Sequence, residues 1–208
     1  EPQFYRKNGQ PPSEDIPSLS GNGSSIRDNR QNHRPAQNEL NSKMILKARA
    51  VKLGDNVDTD VILPGKYLAL TDPTELKEHV MEGLSHGFAS KFVNGAVIVA
   101  GENFGQGSSR EHAAIALKAA AVKCVVAESF ARIFYRNAIN IGLPAVECPG
   151  ILTQVADGDQ VSVDLEQGQI RNLTTGATAS TEQIPPHLQQ VLNDGGIIQH
   201  LKKKRARQ

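Results

Sequence analysis

Apolar and polar positions follow two different patterns along the chain. Residues 1–43 are rich in Asn, Gln, Ser, Pro, Gly and Arg, and their few apolar residues show no periodicity. Such a segment buries too little apolar surface to offset the entropy of ordering it, so we predict a disordered N-terminal tail. From residue 44, apolar residues recur in stretches of strand or helix length, which predicts a folded domain over 44–201. A basic C-terminal tail at 202–208 completes the predicted organisation.

Within this predicted domain, short apolar stretches alternate with amphipathic ones. Continuous apolar stretches of strand length, such as 95–100, are typical of strands that are covered on both faces. The sequence predicts strands at 44–53, 95–100, 124–127, 143–147, 160–165 and 170–173, an extended segment at 57–64, and helices at 72–83, 113–122, 129–141 and 185–194. Helices between buried strands, with hairpin strands near the end, indicate a mixed α/β layered fold.

Charge and composition narrow the class of protein. The net charge is only +1, and the positive residues are concentrated at 202–207, which leaves the predicted domain net acidic. This distribution argues against a basic nucleic-acid-binding surface on the domain. No stretch approaches the roughly 18 apolar residues of a membrane span, and no apolar core of a signal peptide is recognisable. The two cysteines, Cys124 and Cys148, lie in apolar stretches rather than in a disulfide framework, so we expect a soluble cytoplasmic protein.

The first candidate site is the segment 101–112, GENFGQGSSREH. Its glycines follow a buried strand, and Ser108 and Ser109 stand where a helix is expected to begin. Backbone N–H groups and hydroxyls at a positive helix end suit an anion, and the Arg110 guanidinium suits a carboxylate or phosphate. The spacing matches neither the dinucleotide fingerprint nor the phosphate-binding loop. The alternative is a glycine turn with a serine cap and a solvated Arg110.

The second candidate site is a cluster of carboxylates at Asp55, Asp58 and Asp60. Three carboxylates this close could hold a metal ion or orient a catalytic group, yet they lack the calcium-loop pattern. A polar turn between strands is the alternative. The two dispersed cysteines cannot supply the usual thiolates of an iron–sulfur cluster.

Three motifs at these positions resemble one protein family. They are GDNVDTDVILP at 54–64, NFGQGSSREHA at 103–113 and SFARIFYRNAINIGLP at 129–144. In this order they resemble the small subunits of 3-isopropylmalate dehydratase and, more widely, the swivelling domain of the aconitase superfamily. The resemblance covers about 44–201 and leaves out the tail. It implies an α/β fold of the swivelling β/β/α three-layer type.

The resemblance also implies a reaction and a partner. Such a domain closes over a large subunit that carries a 4Fe–4S cluster, so this chain would bind no cofactor or metal and would be inactive alone. The implied hydro-lyase reaction interconverts 2-isopropylmalate and 3-isopropylmalate in leucine biosynthesis, through loss and re-addition of water at isopropylmaleate. The cluster iron would polarise the leaving hydroxyl as a Lewis acid.

The resemblance assigns roles to the residues of the motifs. Ser108 matches the base that removes a proton from the substrate carbon, and Asp60 matches the aspartate that orients the acid–base apparatus. Ser109 and Arg110 match the pair that binds a substrate carboxylate. A serine hydroxyl is too weak an acid to act unaided, so its alkoxide needs the donors and the positive charge of the helix end.

The implied contact to the variable group of the substrate is the loop Tyr67, Leu68, Ala69 and Leu70. Homoaconitase-like relatives tend to place Arg in this loop, whereas an apolar loop suits an isopropyl group because a third carboxylate would be desolvated there. The alternative is that these residues merely pack. Gln106 departs from the Cys or Glu that often stands between the two glycines in the family, which leaves the subfamily open.

Two other functions remain as alternatives. One is a small subunit that acts on a different substituted malate, namely homoaconitate, methylmalate or dimethylmalate. The other is a non-catalytic RNA-binding module that uses the basic end at 202–207. No aromatic stacking platform accompanies those basic residues, so we expect no nucleic-acid partner.

Overall fold

The structure, a computed structural model, describes residues 44–207. The predicted tail at 1–43 therefore lies outside the described residues. The strands are β1 Ile45–Lys52, β2 Ala96–Ala100, β3 Val122–Ala127, β4 Ala145–Glu147, β5 Gln160–Asp164, β6 Gln169–Asn172 and β7 Thr178–Ser180. They form a seven-stranded sheet in the order β4-β3-β2-β1-β5-β6-β7. Strands β1 to β4 are parallel, β5 pairs antiparallel with β1, and β6 and β7 continue the sheet as successive antiparallel neighbours of β5.

Helices connect the strands and flank the sheet. The α-helices are α1 Thr59–Ile62, α2 Pro73–Leu76, α3 Glu111–Ala119, α4 Arg132–Ile141, α5 Ile151–Gln154, α6 Pro186–Asn193 and α7 Ile197–Ala206. Short 3-10 turns lie at Gly65–Tyr67, Lys77–His79 and Phe88–Phe92. Because α3 and α4 connect parallel strands, they supply the crossovers that such strands require. The prediction of a mixed α/β fold is confirmed.

Strand β2 lies inside the sheet, between β1 and β3, and belongs to two hydrophobic cores. All five of its residues are buried. Ile98 and Ala100 pack with the inner residues of α3 and α4, whereas Val97 and Val99 pack on the opposite face with residues of β5. Successive side chains of a strand point to opposite faces, so a continuous apolar stretch is required here. The sheet is curled, and helices α3 and α4 cover the face that carries Ile98 and Ala100. The core on this face is called the helical core.

The segment predicted to be extended at 57–64 instead forms α1. Asp58 caps this helix, because its carboxylate accepts a hydrogen bond of 2.7 Å from the backbone N–H of Val61. Capping by Asp satisfies one of the free N–H groups of the first turn. One turn is too short to show the apolar period of a helix, so the prediction of an extended segment is wrong.

The C-terminal end contains an element that the sequence does not predict. Helix α6 ends before Gly195 as expected, but α7 begins directly after Gly196 and continues through most of the basic residues of the predicted tail. The predicted domain boundary at 201 falls inside this helix. His200 and Lys203 lie 2.7 and 2.6 Å from the Asp194 carboxylate, which fastens α7 to the end of α6.

The double burial of β2 predicts a large loss of stability on truncation. Ile98→Ala should lower the free energy of unfolding by about 2 to 5 kcal/mol, because it leaves a cavity in the helical core. Ile198→Ala is the matched control, since Ile198 is 57% exposed whereas Ile98 is 0% exposed. Urea denaturation followed by circular dichroism measures the free energy of unfolding of both variants. Equal losses would contradict the importance of the burial of β2.

Candidate active site

The first two sequence motifs are joined by backbone hydrogen bonds. The loop 101–110 leads from β2 to α3, and it runs alongside the segment that follows β1. The N–H of Gly105 donates to the carbonyl of Val57 at 2.7 Å, and the N–H of Thr59 donates to the carbonyl of Gln106 at 2.8 Å. These bonds place the start of α1 against the glycine loop. The polar turn and the glycine loop therefore form one site rather than two.

Gly105 shows why this loop needs a glycine. Its φ is +79°, in the left-handed region that side chains disfavour. A Cβ atom at this position would overlap the side chain of Phe134 in α4. Phe134 is itself buried and meets the ring of Phe104 edge-on, with centroids 5.1 Å apart. The third motif thus provides the wall against which the glycine loop is packed.

Ser108 has the most unusual environment in the site. Its backbone N–H donates to the hydroxyl of buried Thr59 at 3.1 Å. Its own hydroxyl oxygen is buried and has no hydrogen-bond partner among the described residues. A buried polar group without a partner loses its hydration for no compensating bond, and such groups in native proteins require an explanation. A serine kept desolvated in this way is suited to receive a ligand or a proton.

Arg110 and Asp60 form an ion pair at the entrance to this site. The guanidinium contacts Asp60 Oδ1, and the Asp60 side chain is 59% exposed. The backbone of Gly65 lies beside both groups, so the loop 65–70 starts at this pair. Because solvent screens the pair, it adds little to stability, and both groups stay available for a ligand.

The N-terminus of α3 is open. The N-cap residue is Arg110, and no side chain in the described part of the chain caps this helix end, so the alternative of a serine cap is wrong. Ser109 is exposed, and its carbonyl accepts a hydrogen bond of 3.3 Å from Nδ2 of Asn137 in α4. The first N–H groups of a helix have no partner inside the helix, so they face the region beside Ser108 and Ser109 as donors for an anion.

The three aspartates of the second candidate site have separate tasks. Asp58 caps α1, Asp60 pairs with Arg110, and Asp55 accepts a hydrogen bond of 2.9 Å from the N–H of Glu102. In the span 44–207, no group of three or more His, Cys, Asp or Glu side chains is placed to hold a metal ion. The three carboxylates therefore do not converge on one point.

The loop 67–70 packs in two ways. Tyr67 and Leu70 contact the helical core, whereas Ala69 is exposed. The Tyr67 hydroxyl donates to Glu82 at 2.8 Å, so this hydroxyl is directed toward a carboxylate that sequence reasoning does not single out. Hydrogen bonds from Tyr67 and Lys66 lower the pKa of Glu82 to about 2. Glu82 has no motif that could have revealed it.

Comparison with known proteins places this site in a family. The model of the aconitase C-terminal domain matches residues 89–150. A 3-isopropylmalate dehydratase small subunit from Aquifex aeolicus is 52% identical over 165 residues, which cover 79% of this chain and 98% of that protein. The isopropylmalate/citramalate isomerase small subunit of Methanocaldococcus jannaschii is 52% identical over 164 residues, covering 79% of this chain and 98% of that protein. The chain belongs to the 3-isopropylmalate dehydratase small-subunit family.

A solved structure supports the same assignment. The 3-isopropylmalate dehydratase structure from Methanocaldococcus jannaschii superposes with a TM-score of 0.74 at 48% identity, covering 78% of this chain and 96% of that one. The resemblance drawn from the three motifs is confirmed, as is the aconitase-type α/β fold. The family is one of hydro-lyase subunits, which confirms the expected enzyme class.

The residues of this small-subunit family member do not fit an iron–sulfur cluster. Both cysteines are buried in the core on the far face of the sheet, and burial raises the pKa of the Cys124 and Cys148 thiols. A thiol with a raised pKa is a poor source of the thiolate that a cluster needs. The cysteines of this chain therefore do not provide a cluster site. In the described residues, no helix is long and apolar enough to cross a membrane.

The packing of Gly105 against α4 predicts a specific loss of stability in this dehydratase subunit. Gly105→Ala should destabilise the domain by more than the cost of a left-handed alanine, because its Cβ overlaps Phe134. Gly150→Ala is the matched control, since Gly150 has a φ of +78° and no atom within 4 Å of a Cβ. Thermal unfolding compares the two variants. An equal shift in melting temperature would mean that the Phe134 side chain moves aside without any loss of stability.

Proposed function

We propose that this chain is the small subunit of a 3-isopropylmalate dehydratase that interconverts 2-isopropylmalate and 3-isopropylmalate through isopropylmaleate. The observation that carries this proposal is the buried, unpartnered hydroxyl of Ser108 beside the open N-terminus of α3. A substrate with two carboxylates offers the anion that this helix end lacks. Family membership supports the same reaction.

In the proposed reaction, Ser108 moves the proton. Its alkoxide takes a proton from the substrate carbon, the carbon–hydrogen electron pair becomes the new double bond, and hydroxide leaves from the neighbouring carbon. Hydration runs the same steps in reverse, with the proton returned by the Ser108 hydroxyl. The positive end of α3 and the Arg110 guanidinium stabilise the alkoxide, and burial removes the water that would otherwise protonate it.

Arg110 and Ser109 are proposed to bind a substrate carboxylate. A guanidinium has five N–H donors in a planar fork, so Arg110 can keep Asp60 and accept a carboxylate at the same time. Asp60 fixes the direction of that fork. Asn137 supports the site by holding the Ser109 carbonyl, which orients the first residues of the helix end.

The proposal includes a large subunit, because the relatives of this chain are named as small subunits. We assign the 4Fe–4S cluster to that partner, where it would supply a Lewis acid when bound. A cytoplasmic location belongs to the same proposal and is supported by the two cysteines, which are free thiols. Helix α7 carries basic residues, but the proposed reaction does not require them to bind a nucleic acid.

Citramalate is a second candidate substrate, favoured by one specific observation. The relative from Methanocaldococcus jannaschii is named for both isopropylmalate and citramalate. Leu68 and Ala69 present an apolar surface that suits an alkyl group, whereas a third carboxylate would lose its hydration against them. We therefore rank isopropylmalate first, citramalate second and homoaconitate third.

The role of Ser108 predicts a separation of activity from stability. Ser108→Ala should lower kcat by at least about a thousandfold, the scale seen when a catalytic nucleophile or base is removed. It should not lower the melting temperature, because the lost hydroxyl has no hydrogen bond in the described structure. Ser90→Ala is the matched control, since the Ser90 hydroxyl bonds an exposed backbone carbonyl outside the site. Retention of substantial activity, or loss of binding to the large subunit, would contradict the assigned role.

The substrate ranking predicts the outcome of a direct assay. This chain, mixed anaerobically with a reconstituted isopropylmalate dehydratase large subunit, should hydrate isopropylmaleate with a higher kcat/KM than methylmaleate or cis-homoaconitate. The loss of alkene absorbance measures each rate, and each subunit alone is the control. A preference for methylmaleate would assign the citramalate reaction. A preference for cis-homoaconitate would show that the apolar loop does not select the substrate.

A further inference from the structure

The carboxylate of Glu82, which is not among the proposed catalytic residues, has several hydrogen-bond and ion-pair partners. Glu82 Oε1 lies 3.0 Å from Lys66 Nζ and 2.8 Å from the Tyr67 hydroxyl. Nδ1 of His79 lies 2.9 Å from Glu82 Oε2, and Nδ1 of His86 lies 3.2 Å from Oε1. The Glu82 side chain is only 9% exposed. This number of partners around one carboxylate indicates that Glu82 has a role beyond solvation.

The backbone around Glu82 is held firmly on α1. Its neighbour Met81 is completely buried and has a φ of +58°, a strained conformation for a residue with a side chain. The N–H of Met81 donates to the carbonyl of Ile62 at 2.7 Å. On the other side, Gly83 packs so closely on α1 that a Cβ would lie 2.6 Å from Cα of Val61. Glu82 is therefore fixed relative to the helix that carries Asp60.

The side chain of Glu82 reaches from this fixed point to the loop 65–70. The Tyr67 ring stacks on the ring of His79 with centroids 3.6 Å apart and an angle of 9°, and its hydroxyl ends on Glu82. At its other end the loop begins with Gly65 beside Asp60 and Arg110. The loop is thus anchored at one side by the ion pair and at the other by Glu82.

We propose that Glu82 is a positioning residue that fixes the loop 65–70 beside Asp60 and Arg110, so that Leu68 and Ala69 limit the size of the substrate's variable group. This inference rests on the proposed function and deepens it. Glu82 acts through Tyr67 and Lys66 and does not touch the substrate. Hydrogen bonds from Tyr67 and Lys66 also hold the pKa of Glu82 at about 2, which keeps the carboxylate charged at neutral pH.

The first test measures the loop itself and needs no activity. In Glu82→Ala, the amides of Leu68 and Leu70, which donate to Gly65 and Tyr67, should exchange with deuterium at least about tenfold faster than in the wild type. The control is Glu78→Gln, because Glu78 is an acidic residue of the same region whose side chain is 68% exposed. Unchanged exchange in Glu82→Ala would overturn the proposal, whether or not the chain is active.

The second test uses the complex with the large subunit. Glu82→Ala should raise KM for isopropylmaleate about tenfold and change kcat less than about twofold, as expected when an element that positions substrate is loosened. The preference for isopropylmaleate over methylmaleate should fall as well. Glu82→Gln keeps an acceptor for the Tyr67 hydroxyl and should restore part of the loss, while Glu78→Gln should behave as wild type.

The outcomes separate this proposal from the proposed function. An unchanged KM with a lower melting temperature would show that Glu82 is purely structural, and would overturn the positioning role. A wild-type complex without turnover would instead count against the proposed function. In that case the exchange experiment still decides whether Glu82 fixes the loop.

Discussion

The site depends on the close approach of two backbone segments that are distant in sequence. The glycine loop after β2 and the turn after β1 share hydrogen bonds through Gly105, Gln106 and Thr59. This approach is possible because Gly105 has no side chain to displace Phe134. It brings α1 next to the N-terminus of α3, so that Asp60 meets Arg110 and Thr59 meets Ser108. Without that contact, these polar groups would lie on separate loops and would not form one site.

Patterns with a regular period were readable from the sequence. The doubly buried strand β2 and the helices α3 and α4 follow from continuous apolar stretches and helical spacing, because local geometry fixes which positions face a core. The one-turn helix α1 and the three-residue strand β7 were not readable. The α1 turn depends on a single capping bond from Asp58, and β7 gains its partner only when β6 is already in place.

The site was predictable to the extent that its residues are contiguous. Ser108, Ser109 and Arg110 stand together in one motif, so their proximity needed no structure. The partners that complete them come from elsewhere, such as Asn137 on α4 and Thr59 on α1, and long-range contacts of this kind leave no period or spacing in the sequence. Tyr67 illustrates the difference. Its position in the loop was evident, but the direction of its hydroxyl toward Glu82 was not.

The shared strand β2 also bears on how the domain can move. Because β2 contributes side chains to both cores, neither face of the sheet can loosen without exposing the other. The turn after β1 and the glycine loop after β2 both extend from the pair β1–β2 and share backbone hydrogen bonds, so their position relative to one another is fixed. Thr59, Asp60, Ser108 and Arg110 are therefore aligned within this domain before any ligand arrives, and a ligand that enters the site meets all of these groups together.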